Sequence, residues 1–408
     1  KNKEESSKIF STINTTIGLL LFLLSLFLFF SADPLLRLIA PGLDLGVHKI
    51  AVLQLKIMAP IAFFSGLIGI GFGSLNAKDE FFIPSISPLI SSLTIVLTIS
   101  IFWIINKDSI VFFEKGIGGA ILIASATSIG ALLQYLTQIP LLLKKNILKF
   151  RFSFNLNDSG FKEVLGIIAP ATLSSGMLQI NVLTDLLFAS KITGAAASLS
   201  YANFLIQAPL GLVSNTLLLP ILPSFAKYND SNKKKELVNL IRKSLIFSSL
   251  SMVALAAIFA SLSEPIITLI YNRGAFDSNA IEIVSNLLIA YGIGMPVYLS
   301  RDLLVRVFYS IGEARIPFRI STIGIILNLI FDWYFLGGPS PWGNLSSLDL
   351  GVSGLVYATL AVNLLSSILL LYKLNKKLIG LPIKNIIIQN CKIILSGCIA
   401  GLCSWLIS

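Results

Sequence analysis

The chain alternates between long apolar segments and short polar ones. Each apolar segment has about 20 residues or more, enough for a helix to cross a hydrocarbon core of about 30 Å. The short alternating segments that barrel strands require are not visible. The pattern therefore predicts an all-α, polytopic membrane protein with about eleven transmembrane helices. The predicted spans are residues 10–30, 49–75, 83–105, 117–143, 164–190, 195–226, 240–262, 279–309, 317–337, 350–372 and 385–407.

Composition and charge support a membrane protein. Hydrophobic residues make up 55% of the 408 residues and charged residues only 12%, whereas a soluble domain carries about 25% charged residues. The net charge is +11, but roughly two thirds of the Lys and Arg residues lie in the segments on one side of the predicted spans. This bias predicts a cytoplasmic N-terminus. It also predicts membrane lipids, and no nucleic acid, as partners.

One sequence motif occurs twice. The motif consists of an acidic residue, a proline, an apolar run and a glycine. Its first copy runs from Asp33-Pro34 to Gly42, and its second copy runs from Glu264-Pro265 to Gly274. Each copy lies between two predicted spans, and an Ile-Pro pair follows the second of these spans. We interpret the copies as parts of two related helix bundles in the same orientation, a parallel repeat of the kind found in transporters.

The two copies differ in what precedes them. Spans 164–190 and 195–226 come before the second copy, and nothing corresponds to them before the first. We therefore expect the first bundle, residues 1–150, to hold four of six helices, with two N-terminal helices missing. The second bundle takes residues 151–375, and an extra transmembrane helix takes residues 376–408.

The repeated motif is predicted to lie at the outer membrane interface. Pro34 and Pro265 suit the first turn of a short helix, where a missing N–H costs little. The apolar residues after each proline suit a helix that lies along the membrane surface. The outer-interface motif comprises Pro34, Gly42, Pro265, Arg273 and Gly274.

Polar side chains inside two predicted spans fall on single helix faces. These candidates are Ser174, Gln179, Asn181 and Asp185 in one span, and Asn203 and Gln207 in the next. Polar residues at membrane depth are costly to bury, which makes them candidates for function. The two polar faces predict a water-filled substrate cavity. The alternative is hydrogen bonding between packed helices.

Charged candidates inside the spans are Lys56, Arg301 and Asp302, and Asp332 lies late in the span at residues 317–337. A basic side chain in a cavity suits an anionic substrate, such as a phosphate or pyrophosphate group. The alternative for each is a buried ion pair or a side chain that reaches the interface, as we expect for Arg306. Because Arg301 and Asp302 are adjacent, they lie on different helix faces and need different partners.

No arrangement of residues indicates an enzyme. The single histidine, His48, has no nucleophile and acid arranged with it, and no phosphate-binding loop is present. The three cysteines lie in the last span without metal-ligand spacing. We predict a non-enzymatic protein with no catalytic residue, no metal and no cofactor.

Several separated motifs occur in order along essentially the whole chain. They are Ala40-Pro41-Gly42, Tyr201-Ala202, Pro209 to Gly211, Leu219-Pro220, Glu264 to Phe276, Phe308-Tyr309-Ser310 and Ala314 to Pro317. In this set and order the chain resembles the MurJ (MviN) lipid II flippase family of the multidrug/oligosaccharidyl-lipid/polysaccharide exporter superfamily.

The resemblance implies two six-helix bundles with extra C-terminal helices. The resemblance implies that the two missing helices precede Lys1 and that one further C-terminal helix would follow Ser408. The implied function is movement of the lipid-linked peptidoglycan precursor, lipid II, to the outer leaflet by alternating access, driven by the membrane potential or an ion gradient. The implied location is the bacterial inner membrane, with the cell-wall synthesis machinery as a candidate partner.

Two departures from the family pattern concern cationic residues. Family members often carry an Asp-Arg pair where this chain has Asn203 and Phe204. The family's other cavity arginines lie in the two helices that precede Lys1, so the chain as it stands is not expected to transport. Arg301 matches a position that is commonly basic in the family, and the resemblance makes it the best cationic candidate.

Three other functions remain open. The fold can serve an exporter of drugs or of another lipid-linked polysaccharide, although the first four spans carry no acidic residue at mid-membrane. A scaffold that binds a partner without transport is the second possibility. A membrane enzyme is the third, and the lack of a nucleophile with a base argues against it.

Overall fold

A computed structural model describes residues 3–105, 117–145, 147, 179–214, 216, 221, 225, 233–274, 276–337, 350–378 and 380–407. Within these ranges every regular element is a helix, as the apolar pattern predicted. The chain divides into two compact units, residues 1–173 and 174–408. The division falls where the structure does not describe the chain, so the predicted bundle limits at 150 and 375 stay predictions.

The first unit contains six described helices. They are α1 (Lys3–Phe30), α2 (Ala32–Ile39), α3 (Leu45–Met58), α4 (Pro60–Asn76), α5 (Phe82–Ile105) and α6 (Ile117–Lys144). The predicted span at residues 49–75 consists of two helices, because Pro60 has no N–H to donate to the carbonyl of residue 56 and the helix breaks at Ala59. Together α3 and α4 are still long and apolar enough to cross a membrane once.

The second unit contains eight described helices. They are α7 (Gln179–Ala189), α8 (Ala195–Val213), α9 (Lys234–Ser261), α10 (Ser263–Tyr271), α11 (Ser278–Ser310), α12 (Arg315–Phe335), α13 (Ser353–Leu378) and α14 (Ile383–Ile407). Helix α11 is central, since it packs against α8, α9, α10 and α13. Its side chains Leu287, Met295 and Leu303 are fully buried in the apolar core of this unit.

Ten segments of the described chain are long and apolar enough to span a membrane. These ten confirm the predicted spans, apart from the one at residues 164–190. That span is described only from Gln179 onward, where it forms the short apolar helix α7. The predicted span at 195–226 is helical to Val213, and most of its remainder lies outside the described residues.

The same order of helices occurs around both copies of the repeated motif. In each unit a 28-residue helix, α1 or α9, comes before a short helix, α2 or α10. An aspartate then occupies the residue just before the next long helix, Asp44 before α3 and Asp277 before α11. Only Asp277 caps its helix with its side chain, which accepts a hydrogen bond of 2.8 Å from the backbone N–H of Ala280.

Polar side chains link α6 to the other helices of the first unit. Gln138 on α6 is fully buried and donates a hydrogen bond of 3.2 Å to Ser87 on α5. Ser128 on α6 donates to the carbonyl of Ile57 on α3 at 2.8 Å. Gly71 on α4 allows a close approach here, because a Cβ at that position would lie 2.3 Å from the side-chain oxygen of Gln138.

A carboxylate at the first copy of the motif joins α2 to α3. The Asp33 carboxylate accepts hydrogen bonds from His48 Nε2 at 2.9 Å and from Arg37 Nε at 3.0 Å. These contacts, led by the bond from His48, lower the pKa of Asp33 below its ordinary value of 3.8. The charge of this exposed carboxylate therefore favours the folded state above pH 3.8, and this contribution is lost as the pH falls through the lowered pKa.

We expect Asp33→Asn to lower the midpoint of thermal unfolding at pH 7, because the amide carries no charge to attract Arg37 or His48. The difference from the wild type should shrink as the pH falls below 3.8, since wild-type Asp33 then becomes protonated. Tryptophan fluorescence of the detergent-solubilised protein measures both midpoints. Asp44→Asn is the matched control, because Asp44 makes no side-chain cap bond. A difference that stays constant below pH 3.8 would contradict the charge-based explanation.

Candidate functional site

A polar cluster in the second unit joins three helices. The side-chain nitrogen of Asn328 on α12 donates hydrogen bonds to Asp185 on α7 at 3.0 Å and to Asp332, one turn further along α12, at 2.8 Å. The hydroxyl of Thr184 lies 3.3 Å from the same nitrogen. The Asn328 side-chain oxygen accepts a bond of 3.3 Å from Thr359 on α13. One amide thus connects α7, α12 and α13.

The centre of the cluster is buried and retains an unused acceptor atom. Asn328 and Asp332 are fully buried, whereas Thr184, Asp185 and Thr359 are half-buried. Among the described residues, one carboxylate oxygen of Asp332 has no hydrogen-bond partner. The side-chain oxygen of Asn181, one turn before Asp185 on α7, is also buried without a partner. This part of the unit therefore contains more acceptors than donors.

The chemistry of the cluster suits a proton or a small hard cation. Asp185 and Asp332 accept from the same side-chain nitrogen of Asn328, so their carboxylates lie close together, and two such charges repel strongly at low dielectric. A proton or a bound cation would relieve this repulsion, and carboxylate oxygens are ligands that hard cations prefer. The described residues contain no group of three or more His, Cys, Asp or Glu side chains, the set typical of transition metals.

The two adjacent charges on α11 have different partners, as their positions on the helix predicted. Arg301 donates a hydrogen bond of 3.0 Å to Ser321 on α12. Asp302 accepts from Arg306 at 2.9 Å and from Ser214, at the end of α8, at 3.2 Å. Arg306, which we expected to reach the interface alone, has an ion pair one helical turn away. The Asp302 charge is therefore balanced by Arg306 rather than by Arg301.

The charge of Arg301 is only partly satisfied. Its one hydrogen bond to a neutral hydroxyl uses one of the five N–H groups of a guanidinium. No carboxylate of the described residues forms an ion pair with it within 4 Å. Arg301 thus keeps its positive charge and several free donors, which are the groups that bind phosphate oxygens.

Lys56, the candidate in the first unit, contacts an aromatic ring. Its Nζ lies 5.9 Å from the centre of the Phe29 ring on α1, and the side chain is half-buried. A cation over a ring face is stabilised by the quadrupole of the ring without loss of its charge. Lys56 therefore also remains available to an anion.

The structure brings together only some of the predicted polar residues. Asp185 belongs to the polar cluster, Asn181 lies one turn before it with a buried, unpartnered side-chain oxygen, and Gln179 is exposed at the first described residue of α7. Asn203 is half-buried and Gln207 is exposed on α8. Ser174 lies outside the described residues. For Asp185 the structure shows hydrogen bonds between helices, and its part in a substrate cavity stays a prediction.

The second copy of the outer-interface motif closes around an aromatic cluster. Pro34 and Pro265 lie in the first turns of α2 and α10, as predicted. The rings of Tyr201, Tyr271 and Phe276 have centres 5.0 to 5.6 Å apart. Burial, together with Tyr201, raises the pKa of Tyr271 above 10.0, so its hydroxyl stays protonated and donates to the backbone oxygen of Tyr201 at 3.3 Å.

Two glycines and an arginine complete the motif. Gly274 has a φ of +66°, a left-handed conformation that favours glycine at this turn. Arg273 donates a hydrogen bond of 2.6 Å to the carbonyl of Ile270 at the end of α10, where a cation also complements the helix dipole. Gly42 lies in the exposed turn after α2. These contacts support a structural role for the motif.

Sequence reasoning missed the residues that hold the cluster together. Asn328 and Thr359 were not among the candidates, and Ser321 was not identified as a partner of Arg301. A signal was present, because Asn328 and Asp332 are four residues apart in an otherwise apolar segment and so share a helix face. The partners on α7 and α13 carry no comparable sequence signal.

We expect Asn328→Leu to lower the free energy of unfolding by roughly 3 kcal/mol, because both carboxylates lose the amide that donates to them. Chemical unfolding in detergent measures the change. The matched control is Asn363→Leu on α13, because Asn363 donates only to the carbonyl of Thr359 in its own helix. The double variant Asn328→Leu with Asp332→Asn should recover part of the lost free energy of unfolding, because one of the two carboxylates without a donor is then replaced by a neutral amide. Equal effects of the two leucine substitutions would contradict the bridging role of Asn328.

Comparisons with known proteins give one consistent family. The family model described as "Lipid II flippase MurJ" matches residues 1–408. A probable lipid II flippase MurJ of Synechocystis sp. is 41% identical over 406 residues, which cover 99% of this chain and 74% of that protein. A probable lipid II flippase MurJ of Rickettsia prowazekii is 30% identical over 329 residues, covering 79% of this chain and 61%, less than two thirds, of that protein.

Solved structures share the fold at low sequence identity. A lipid II flippase MurJ in an inward closed conformation matches with a TM-score of 0.77 at 24% identity, covering 100% of this chain and 84% of that one. An inward-facing multidrug resistance MATE family transporter of the MOP superfamily matches with a TM-score of 0.69 at 13% identity, covering 90% and 81%. The chain therefore shares the polytopic helical fold of these structures. By the match of the family model to all 408 residues and the relative at 41% identity, the chain belongs to the lipid II flippase MurJ family.

Proposed function

We propose that this protein moves a lipid-linked peptidoglycan precursor, lipid II, from the cytoplasmic to the outer leaflet of the bacterial inner membrane. The observation that carries the proposal is the identity of 41% over 99% of the chain to a protein named a probable lipid II flippase. Membership of a transporter family also supports a non-enzymatic role, since transport makes and breaks no covalent bond.

The substrate proposed here is anionic, and Arg301 is the group best suited to meet it. Its guanidinium retains free donors after bonding to Ser321, and its charge is not balanced by Asp302. A pyrophosphate offers several oxygens that match the donor fork of an arginine. Lys56, whose ammonium group lies over the Phe29 ring and has no ion pair among the described residues, is the second basic candidate.

The neutral polar candidates would bind the sugar part of the substrate. Sugar hydroxyls both donate and accept hydrogen bonds, which matches amide and hydroxyl side chains. We assign this role to Ser174, Gln179, Asn181, Asn203 and Gln207. The lipid tail would remain in the bilayer during the movement, since its apolar surface has no reason to leave the hydrocarbon.

The movement proposed is alternating access of two bundles. Bundles at residues 1–150 and 151–375 would rock around the bound head group, as expected for a transporter built from parallel repeats. The extra helix at residues 376–408 lies outside this repeat. The distribution of Lys and Arg supports a cytoplasmic N-terminus of the chain, and basic loops on that side would attract anionic lipids.

The buried carboxylates supply a place for energy coupling. Asp185 and Asp332 can exchange a proton or a small cation while Asn328 keeps α7 and α12 connected. An ion that enters the cluster from one side and leaves to the other would bias the direction of transport. The unused oxygen atoms of Asp332 and Asn181 support this proposal.

Complementation tests the proposed activity. The complete gene is expressed in a bacterium depleted of its own lipid II flippase, and growth and cell shape are recorded. Rescue supports lipid II transport. Failure with the protein inserted in the membrane contradicts it, and a gain of drug resistance in the same cells would instead favour the multidrug exporters that share the fold.

We expect Arg301→Glu in the full-length protein to reduce transport by about tenfold or more, because it replaces charge-assisted hydrogen bonds to the substrate with repulsion. Arg301→Lys keeps the charge and should retain most activity. Transport is measured as the fraction of lipid II that becomes accessible to an externally added enzyme. Lys49→Glu, which reverses an exposed charge, is the matched control. Full activity of Arg301→Glu would remove Arg301 from the substrate site.

A further inference from the structure

A cavity with acidic walls lies at the end of α9 in the second unit, on the predicted outer side. Its volume is about 1050 Å³. It is bounded by the end of α9, by α10, by the first three turns of α11 and by Trp405 on α14. We call it the acidic cavity and use six of its lining residues: Glu264, Thr268, Glu282, Ser285, Asn286 and Trp405. None of these residues takes part in the proposed transport.

The charge of the acidic cavity is negative and uncompensated. Glu264 and Glu282 line it, and no Lys or Arg is among its lining residues. Neither glutamate forms an ion pair within 4 Å with a basic residue of the described chain. Glu264 lies in the first turn of α10, where the helix dipole favours an acid. Glu282 lies beyond the first turn of α11 and has no such support. The summed negative charge of the two glutamates has no partner among the residues that line the cavity.

A buried hydroxyl provides an independent sign of a ligand. Ser285 lines the acidic cavity and is only 5% exposed, and its Oγ has no hydrogen-bond partner. Some buried serines of this unit donate to a carbonyl of their own helix, as Ser248 does to Leu245 and Ser261 to Ala257. Ser244 on α9 is also buried without a partner, but it does not line the acidic cavity. Leaving a buried hydroxyl unpaired is unfavourable. Ser285 is therefore placed to bond to something inside the cavity.

An apolar groove leads into the acidic cavity. The groove lies between α9 and α14, has a volume of about 420 Å³ and is lined mainly by small and apolar residues such as Val253, Ala257 and Gly401, with Lys392 as its one basic lining residue. Ser261 lines both the groove and the cavity. A polar, acidic end joined to an apolar channel between two membrane-spanning helices matches an amphiphile with a cationic head.

We propose that the acidic cavity binds a membrane phospholipid whose head group ends in a primary ammonium. The ammonium would donate hydrogen bonds to Glu264, Glu282 and Ser285, and Thr268 and Asn286 would donate to the phosphate of the lipid. One acyl chain would lie in the apolar groove. Trp405 suits the boundary between the two parts, because tryptophan favours the membrane interface and also attracts cations. This lipid is distinct from the transported substrate, and the proposal does not rest on the flippase activity.

Native mass spectrometry of the full-length protein in detergent tests the proposal. The probes are phosphatidylethanolamine, its N-trimethylated analogue phosphatidylcholine and the anionic phosphatidylglycerol, all with the same acyl chains. We expect phosphatidylethanolamine to bind at least about tenfold more tightly than the other two, because only its head group carries both a positive charge and N–H donors. Equal binding of the three lipids, or binding of none, would overturn the proposal.

Variants locate the binding in the acidic cavity. Glu264→Gln combined with Glu282→Gln should abolish the preference for phosphatidylethanolamine. Glu236→Gln, an exposed change at the other end of α9, should leave it intact. Ser285→Ala separates binding from folding, since it removes an unpaired hydroxyl. Without lipid, the Ser285→Ala variant should be at least as stable as the wild type. Its stabilisation by phosphatidylethanolamine should be smaller than that of the wild type. An unchanged preference in the double glutamine variant would place the lipid elsewhere.

Discussion

A polar side chain inside a membrane-spanning helix has no bulk water to bond, so it must find its partner on another helix. In the second unit this constraint is met at Asn328. Its amide donates to carboxylates on α7 and α12, and its oxygen accepts from α13. Apolar packing alone would allow these three helices to slide or rotate, because lipid tails are as apolar as leucine. The hydrogen bonds define the register in which α7 meets α12.

The same constraint leaves the cluster with an atom that no protein group of the described residues satisfies. Asn328 has two N–H groups for two carboxylates, so the cluster cannot satisfy every oxygen, and Asp332 retains an unpaired acceptor in a fully buried position. A cluster made only for stability would be better served by a balanced set of donors and acceptors. An excess of acceptors is useful where a proton or cation enters and leaves. In the acidic cavity the buried hydroxyl of Ser285 is likewise without a partner, and it lies beside two glutamates that line the same cavity.

Helix α11 shows how two adjacent charges acquire separate roles. Consecutive residues of a helix point about 100° apart, so Arg301 meets Ser321 on α12 while Asp302 meets Arg306 and Ser214. The charges of Asp302 and Arg306 balance each other within the protein. The charge of Arg301 is not balanced in this way, because the Ser321 hydroxyl bonds to its guanidinium without neutralising it. Of the three charges of Arg301, Asp302 and Arg306, local helix geometry thus leaves that of Arg301 available for an anion.

The sequence by itself determined the helical class, the approximate limits of ten membrane-spanning segments, the repeated motif and the family. Each of these follows from local information: the length of an apolar run, a proline in a first turn, or the order of motifs along the chain. It also placed Arg301 and Asp302 on different helix faces, since helix periodicity alone decides that. The break at Pro60 was visible as a proline, but neither the split of that span into α3 and α4 nor the partner of Lys56 was predicted.

Only the tertiary structure decided which polar residues meet. Asp185 and Asn328 are 143 residues apart, and nothing in either segment indicates the other. Gln207 shares a polar helix face with Asn203 in sequence, yet it is exposed, because the side of α8 that carries Ala202 and Ile206 is the one that packs into the core. The acidic cavity likewise arises where the ends of four helices come together. Contacts between distant segments depend on how the helices pack, and the periodicity of a single segment contains no information about that packing.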